Sequence, residues 1–513
     1  MRRVLALVLG LVALLALVAP DASAQAPTSK VTINGLVDNI SSYTRNMSNI
    51  DLNYNDKRDK EWYARTRVRP DITGEVGTTK FVLGLEIDAV WGQTGSADST
   101  LLGGTPQRAG ATAGALDLNT DLLGPIELKW AYTEFDFPGL PFASRVRLGA
   151  QPWGTAATYK LAALANGDFA GVHLNIKPVP EIALLLTYAQ AEEDSTGRQD
   201  GFLRGEDFAL IASIELTPVK GIDIKPVWAW FHAEGTTNGA ARQGRGGLGT
   251  GAGVYPLNAT EDRHTVGLDA RVRLGPISID PTVLFQWGER DIVSLSGSLE
   301  EQKRRAWLVD LRAGFQAGPL LLEAAGIYTT GNAANSDVRN ASTKVRYFEP
   351  ISTDTSYYAT WAEHWALGID YFNIIHNAAG GLNPGVAIGY DKYGLIRVGT
   401  RASYAVTPAF TVRAAVTANW TEEKVDTSGV KTVAAGLTPG DFRGDERYLG
   451  TELDLGFQWR FAPGITFDMV GAYTWAGNAL NAARAVNANT GESRVHGDSK
   501  DILTASARLR FNF

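Results

Sequence analysis

The chain has 513 residues, no cysteine and a formal net charge of −7. Without cysteine there is neither a disulfide framework nor a thiolate metal site, and the mildly acidic balance argues against nucleic acid as a partner. A 44% hydrophobic share with 55 glycines and 13 tryptophans suits a chain of many strands, and fits a membrane barrel and a large soluble β-protein equally.

The chain opens Met1-Arg2-Arg3, runs apolar from Val4 to Ala19 and reads Ala22-Ser23-Ala24 before Gln25. A basic start, a short apolar core and a small-x-small site predict a secretory signal peptide over residues 1–24, with 25–513 exported. No later apolar run reaches the length of a spanning helix. A place in a membrane therefore requires a closed barrel, because only helices and barrels satisfy every backbone group in lipid.

One unit repeats along 25–513: an alternating strand, a tight turn, another alternating strand, then a long polar connection. Strands are predicted at 31–42, 61–75, 79–92, 125–137, 144–153, 168–177, 181–191, 206–217 and 221–234. They continue at 262–274, 277–289, 305–317, 319–331, 393–407, 409–421, 447–461, 465–477 and 501–513. That is about 18, within a range of 16–20; the even number puts both ends of the barrel on the periplasmic side. Proline and glycine mark the tight turns, as at Gly275-Pro276, Gly318-Pro319, Pro408 and Pro463-Gly464. Residues 332–392 are read as one long external loop, with an extra strand pair at 365–375 or 385–390 as the alternative. Between 126 and 137 the apolar phase slips: Ile126, Leu128, Trp130 and Tyr132 share one face, Phe135 and Phe137 the other. A β-bulge would restore the register.

The last strand carries the family resemblance. Leu503, Ala505, Ala507, Leu509, Phe511 and Phe513 alternate with Thr504, Ser506, Arg508, Arg510 and Asn512, and the strand ends on an aromatic residue. It resembles the closing strand of bacterial outer-membrane β-barrels. The resemblance implies an all-β transmembrane antiparallel barrel with short periplasmic turns and long extracellular loops, resident in the bacterial outer membrane. Phe513 would be the signal to the barrel assembly machinery. Within that class the chain looks like a porin, with some resemblance to alginate-export-type channels.

Arg65, Arg67, Arg69, Arg145, Arg147, Arg271, Arg273, Arg397, Arg401, Arg413, Arg460, Arg508 and Arg510 fall on the faces opposite the apolar stripes. Glu86, Asp88, Glu452 and Asp454 do the same, as do Glu127, Asp269, Asp310, Glu323 and Asp468. Facing lipid, an arginine would cost roughly 2–4 kcal/mol at the midplane, so these residues are expected to line a pore. The residues leave two roles open for them: a ladder steering anions, or pairs that brace the wall.

Other motifs carry less. In porins the third external loop narrows the channel, so the resemblance makes Gly154 to Gly167 a constriction loop and gives that role to Tyr159 and Lys160. Gly244, Gly246 and Gly249 match a dinucleotide-binding spacing, but no helix follows them. Asp51, Asn53 and Asn55 begin like a calcium loop, yet Asp56 and Trp62 stand where Gly and Glu are needed. Glu363-His364 lacks the second histidine of a zinc site, and no GxSxG nucleophile motif is present. The expectation is a non-enzymatic porin without metal or cofactor, in contact with outer-membrane lipid and small hydrophilic solutes and with a preference for anions. The resemblance adds a homotrimer; a polysaccharide-export channel and a non-conducting structural or adhesive barrel are the alternatives.

Overall fold

The computed structural model of the chain describes residues 28–46, 60–91, 126–154, 163–192, 207–233, 258–293, 298–338, 340–351, 362–369, 388–389, 392–427, 443–483 and 500–513. Eighteen strands account for most of them. The first nine are β1 (Ser29–Arg45), β2 (Lys60–Val76), β3 (Thr79–Val90), β4 (Glu127–Asp136), β5 (Ala143–Gly154), β6 (Asn166–Val179), β7 (Ile182–Glu192), β8 (Asp207–Val219) and β9 (Ile222–Ala233). The rest are β10 (Asn258–Leu274), β11 (Ile277–Val293), β12 (Leu299–Ala317), β13 (Leu320–Thr329), β14 (Leu395–Thr407), β15 (Phe410–Val425), β16 (Glu446–Ala462), β17 (Ile465–Ala476) and β18 (Ile502–Asn512). A six-residue 3-10 turn, Asn478–Ala483, precedes the last strand.

Each strand pairs antiparallel with its sequence neighbours, and β1 pairs with β18, so the sheet closes on itself as a barrel. The seam is tied at its end by Gly35 N–H donating to Phe513 O (2.9 Å) and Phe513 N–H to Gly35 O (3.0 Å). Seven turns at one end of the barrel hold two residues each, and the turn after β4 holds six. The long connections all lie at the other end. Gly275 and Gly318 sit at φ +59° and +55°, a left-handed conformation that a two-residue hairpin turn needs and that glycine adopts without steric cost.

Period two sorts the side chains. Outward faces carry Leu311, Leu322, Val398, Val416 and Leu455, each more than a third exposed and none covered by protein. They make an apolar belt, flanked at the short-turn end by Phe81, Phe315, Tyr404, Trp459, Phe461 and Phe511. Towards the long connections it ends on Trp62, Trp91, Trp228, Trp307 and Trp475. Two aromatic girdles around an apolar band are what a barrel embedded in lipid requires.

The phase slip in β4 is a bulge: Gly84 faces Trp130 while its neighbour Leu85 faces Leu128, so Lys129 is the extra residue. Lys129 and Trp130 both turn inward as a result. Lys129 Nζ reaches Glu86 (3.2 Å) and Asp168 (3.0 Å), and Trp130 Nε1–H donates to Asp71 (3.1 Å).

The interior is not empty. Inward-facing Ala209, Ile211, Ala229, Leu284, Leu308 and Ile327 form an apolar patch on the wall, covered by Leu164 from the connection after β5 and by Phe348 and Ile351 from the connection after β13. Ile351 N–H donates to Leu164 O (2.8 Å), so the two connections meet inside the barrel. Within the predicted 332–392 external loop, the described Phe348 and Ile351 therefore lie inside the barrel. Residues 362–369 are turns, not a strand, and pack against inward-facing Ile40 of β1 and Val470 of β17. The alternative pair at 385–390 lies largely outside the described residues.

Candidate functional site

The inner wall is built from alternating strands whose second face is charged, and the charges come in pairs set by register. Arg67 of β2 stands opposite Asp88 of β3; its Nε–H donates to Asp88 (2.6 Å) and it also meets Glu86 (2.7 Å). Arg65 reaches Asp88 (3.3 Å), Arg69 pairs with Glu86, and Arg65 and Arg67 are fully buried. Next along the wall, Arg145 meets Glu134 (2.8 Å) and Asp136 (2.7 Å), and Arg147 meets Glu134 (3.2 Å).

The same pattern continues around the barrel. Arg273 donates to Asp280 (2.9 Å), Arg401 to Glu323 (2.6 Å), Arg508 to Asp468 (2.6 Å) and Arg510 to Asp38 (2.6 Å) across the seam. Arg271 shares the inner face of β10 with Asp269. Arg397 donates to Asn419 (2.7 Å). Arg460 reaches only Gln458 (3.3 Å), and Arg413 has no carboxylate within bonding distance among the described residues. Each predicted arginine thus lies on the inner face, and most are neutralised by a neighbour. These ion pairs are what the bracing role requires of the majority.

The segment 362–369 seats itself on the inner wall of β14–β17. His364 N–H donates to Glu452 Oε1 (2.6 Å), Arg401 Nη1–H to Trp365 O (2.8 Å), and Arg397 Nη1–H to His364 Nδ1 (3.4 Å). The Arg401 guanidinium lies 5.2 Å from the Trp365 ring centre. Gly399 and Gly456 make room: a Cβ on Gly399 would come within 3.3 Å of the Trp365 ring, and one on Gly456 within 2.9 Å of Leu367. Glu452 and Asp454 are both fully buried beneath this segment. They face a covered part of the wall and no open lumen.

A second anchor holds residues 347–351. Glu349 accepts from Arg304 (2.7 Å) and pairs with Arg263 (3.2 Å), and Glu261 joins both arginines (3.0 and 3.4 Å). Gln286 Nε2–H donates to Glu349 O (2.9 Å). Three arginines, counting Arg290 beside Gln302 (2.8 Å), thus face two glutamates here, all inside the barrel towards the long connections. Sequence reasoning missed this cluster because it begins the corresponding strands at 262 and 305. Above the aromatic row both faces of β10–β12 turn polar, and the apolar alternation that reveals a strand is gone. The alternation of Glu261 and Arg263 with Asp269, Arg271 and Arg273 was the available signal. Tyr159 and Lys160, the expected constriction residues, lie outside the described residues.

No protein-family model and no curated protein matches the chain. Among solved structures, a BenF-like porin from Pseudomonas fluorescens Pf-5 is 10% identical, with 95% of this chain and 100% of that one covered and a TM-score of 0.49. OprE of Pseudomonas aeruginosa is 10% identical over 94% and 98% (TM-score 0.47), and OpdR of the same organism 9% over 94% and 96% (TM-score 0.45).

Proposed function

We propose that the protein is an outer-membrane porin that passes small hydrophilic solutes by passive diffusion. The observation that carries this reading is a closed barrel of 18 strands with an apolar belt outside and a charged, polar wall inside. Barrels of that size leave an aqueous channel. The path is narrowed from within by 347–351 and 362–369, which supports selection by width at the level where these segments meet the wall. Because most wall arginines are paired, any preference for anions rests on Arg413 and Arg460 and is modest. The resemblance to alginate-export channels gains no support, and one of the solved structures named above is a BenF-like porin.

The experiment is single-channel recording of the refolded protein in a planar bilayer under a salt gradient. Stable open steps with a reversal potential displaced slightly towards anions are expected. A folded barrel that never conducts would overturn the porin reading in favour of a structural or adhesive barrel.

A further inference from the structure

The upper part of β12 is a sheet edge that the barrel itself leaves unpaired. β13 ends at Thr329, opposite Leu308, whereas β12 runs on to Leu299. Residue Val345, from the connection after β13, returns to fill that edge. Val345 N–H donates to Lys303 O (2.9 Å) and Arg305 N–H to Val345 O (2.8 Å), a parallel bridge centred on Arg304.

Arg304 and Val345 are buried and point inward. Strand alternation therefore turns Lys303, Arg305, Lys344 and Arg346 outward, side by side, and all four are exposed. Lys303 has a side chain 71% exposed, with Glu301 at 3.7 Å as its loose partner. The other three make no ion pair among the described residues. Directly below, register places Trp287 beside Arg305 and Phe285 beside Trp307, and the Arg305 guanidinium lies 5.5 Å from the Phe285 ring centre. One row further down the surface is aliphatic, with Val283 beside Val309. Four cations thus sit on an aromatic step at the upper border of the apolar belt.

We propose that this patch binds the phosphorylated glycolipid of the outer leaflet: the cations take its phosphates, and the Trp287, Phe285 and Trp307 rings support its sugars and the start of its acyl chains. The site rests on the outer-membrane reading above. It commits to a lipid because the cations stand on a lipid-facing aromatic step, and they point away from the lumen where a soluble anion would travel.

The test is native mass spectrometry of the full chain, folded in detergent, with rough-type lipopolysaccharide, the same glycolipid after enzymatic removal of its phosphates, and excess inorganic phosphate as competitor. Expected is retention of the phosphorylated form over the dephosphorylated one, little displacement by inorganic phosphate, and a loss of about fivefold in affinity for each cation removed in the series Arg346→Ala, Arg305→Ala, Lys344→Ala, Lys303→Ala. Arg346→Glu alone changes one exposed side chain on the added segment and repeats the test with the wall untouched. Equal binding of both glycolipid forms, no loss in the variants, or full displacement by inorganic phosphate overturns the site. Insertion into lipid vesicles is measured in parallel: a protein that fails to insert overturns the membrane reading as well, whereas one that inserts without preferring the phosphorylated form overturns this site alone.

Discussion

At the scale of single residues, the inner wall shows two kinds of constraint. The first is steric. Trp130 is turned inward by the bulge at Lys129 and lies over Gly84, so any Cβ there would fall within the indole ring. Gly84→Val is expected to destabilise the barrel by about 1–3 kcal/mol through overpacking, read as a lower midpoint in urea unfolding from vesicles; an unchanged midpoint would show that the ring swings away freely. The second constraint is electrostatic. Arg67 is buried between Glu86 and Asp88, and removing one partner from such a cluster leaves uncompensated charge. Arg67→Ala should cost about 3–5 kcal/mol in the same assay. Arg460, exposed and with its guanidinium bonded only to Gln458 among the described residues, provides the contrast: Arg460→Ala should leave the unfolding midpoint within about 0.5 kcal/mol of the parent while moving the reversal potential away from anion preference. If the Arg67 change moved the potential and the Arg460 change did not, steering would belong to the braced residues after all.

At the scale of elements, the strands were legible because lipid imposes a rule that the sequence must obey: one face apolar, one face free. Wherever both faces meet their different solvents, as in Phe410–Val425 with Val412, Val416 and Trp420 outward and Arg413, Thr417 and Asn419 inward, the period-two pattern names the strand and its orientation. The pattern fades at the outer ends of β10–β12, where neither face meets the apolar interior of the bilayer, and it is silent for the connection after β13. That segment holds to the wall through His364, Trp365 and Leu367, three contacts of different chemistry with no common period, so nothing in its sequence announces that it turns inward. Its attachment is nevertheless specific. Trp365→Ala with Leu367→Ala removes about 2–5 kcal/mol of packing per side chain, more than the two hydrogen bonds made by His364 N–H and Trp365 O can offset. The pair should enlarge the single-channel conductance and its flicker, and the lost packing should lower the unfolding midpoint as well. Unchanged conductance would mean that 362–369 does not border the conducting path.

At the scale of the whole molecule, closure of the sheet is the event on which everything else depends, and Phe513 stands at it in two capacities. Its backbone closes the seam through two hydrogen bonds to Gly35, and its ring would meet a Cβ on Gly35 at 2.8 Å. Those contacts are modest: two net hydrogen bonds contribute roughly 1–3 kcal/mol, set against a seam of ten register pairs from Leu36↔Asn512 to Arg45↔Leu503. If Phe513 matters only as a closing contact, deleting it should lower the unfolding midpoint slightly and leave both refolding into vesicles and the amount assembled in cells near the parent. The resemblance of the final strand to an assembly signal demands another outcome, because a recognition element acts before the seam exists. Deletion of Phe513 should then reduce the folded protein recovered from outer membranes several-fold while the purified variant still refolds spontaneously to a heat-resistant barrel. Comparing cellular assembly with spontaneous refolding therefore separates the two roles, and equal effects in both would assign Phe513 to the seam alone.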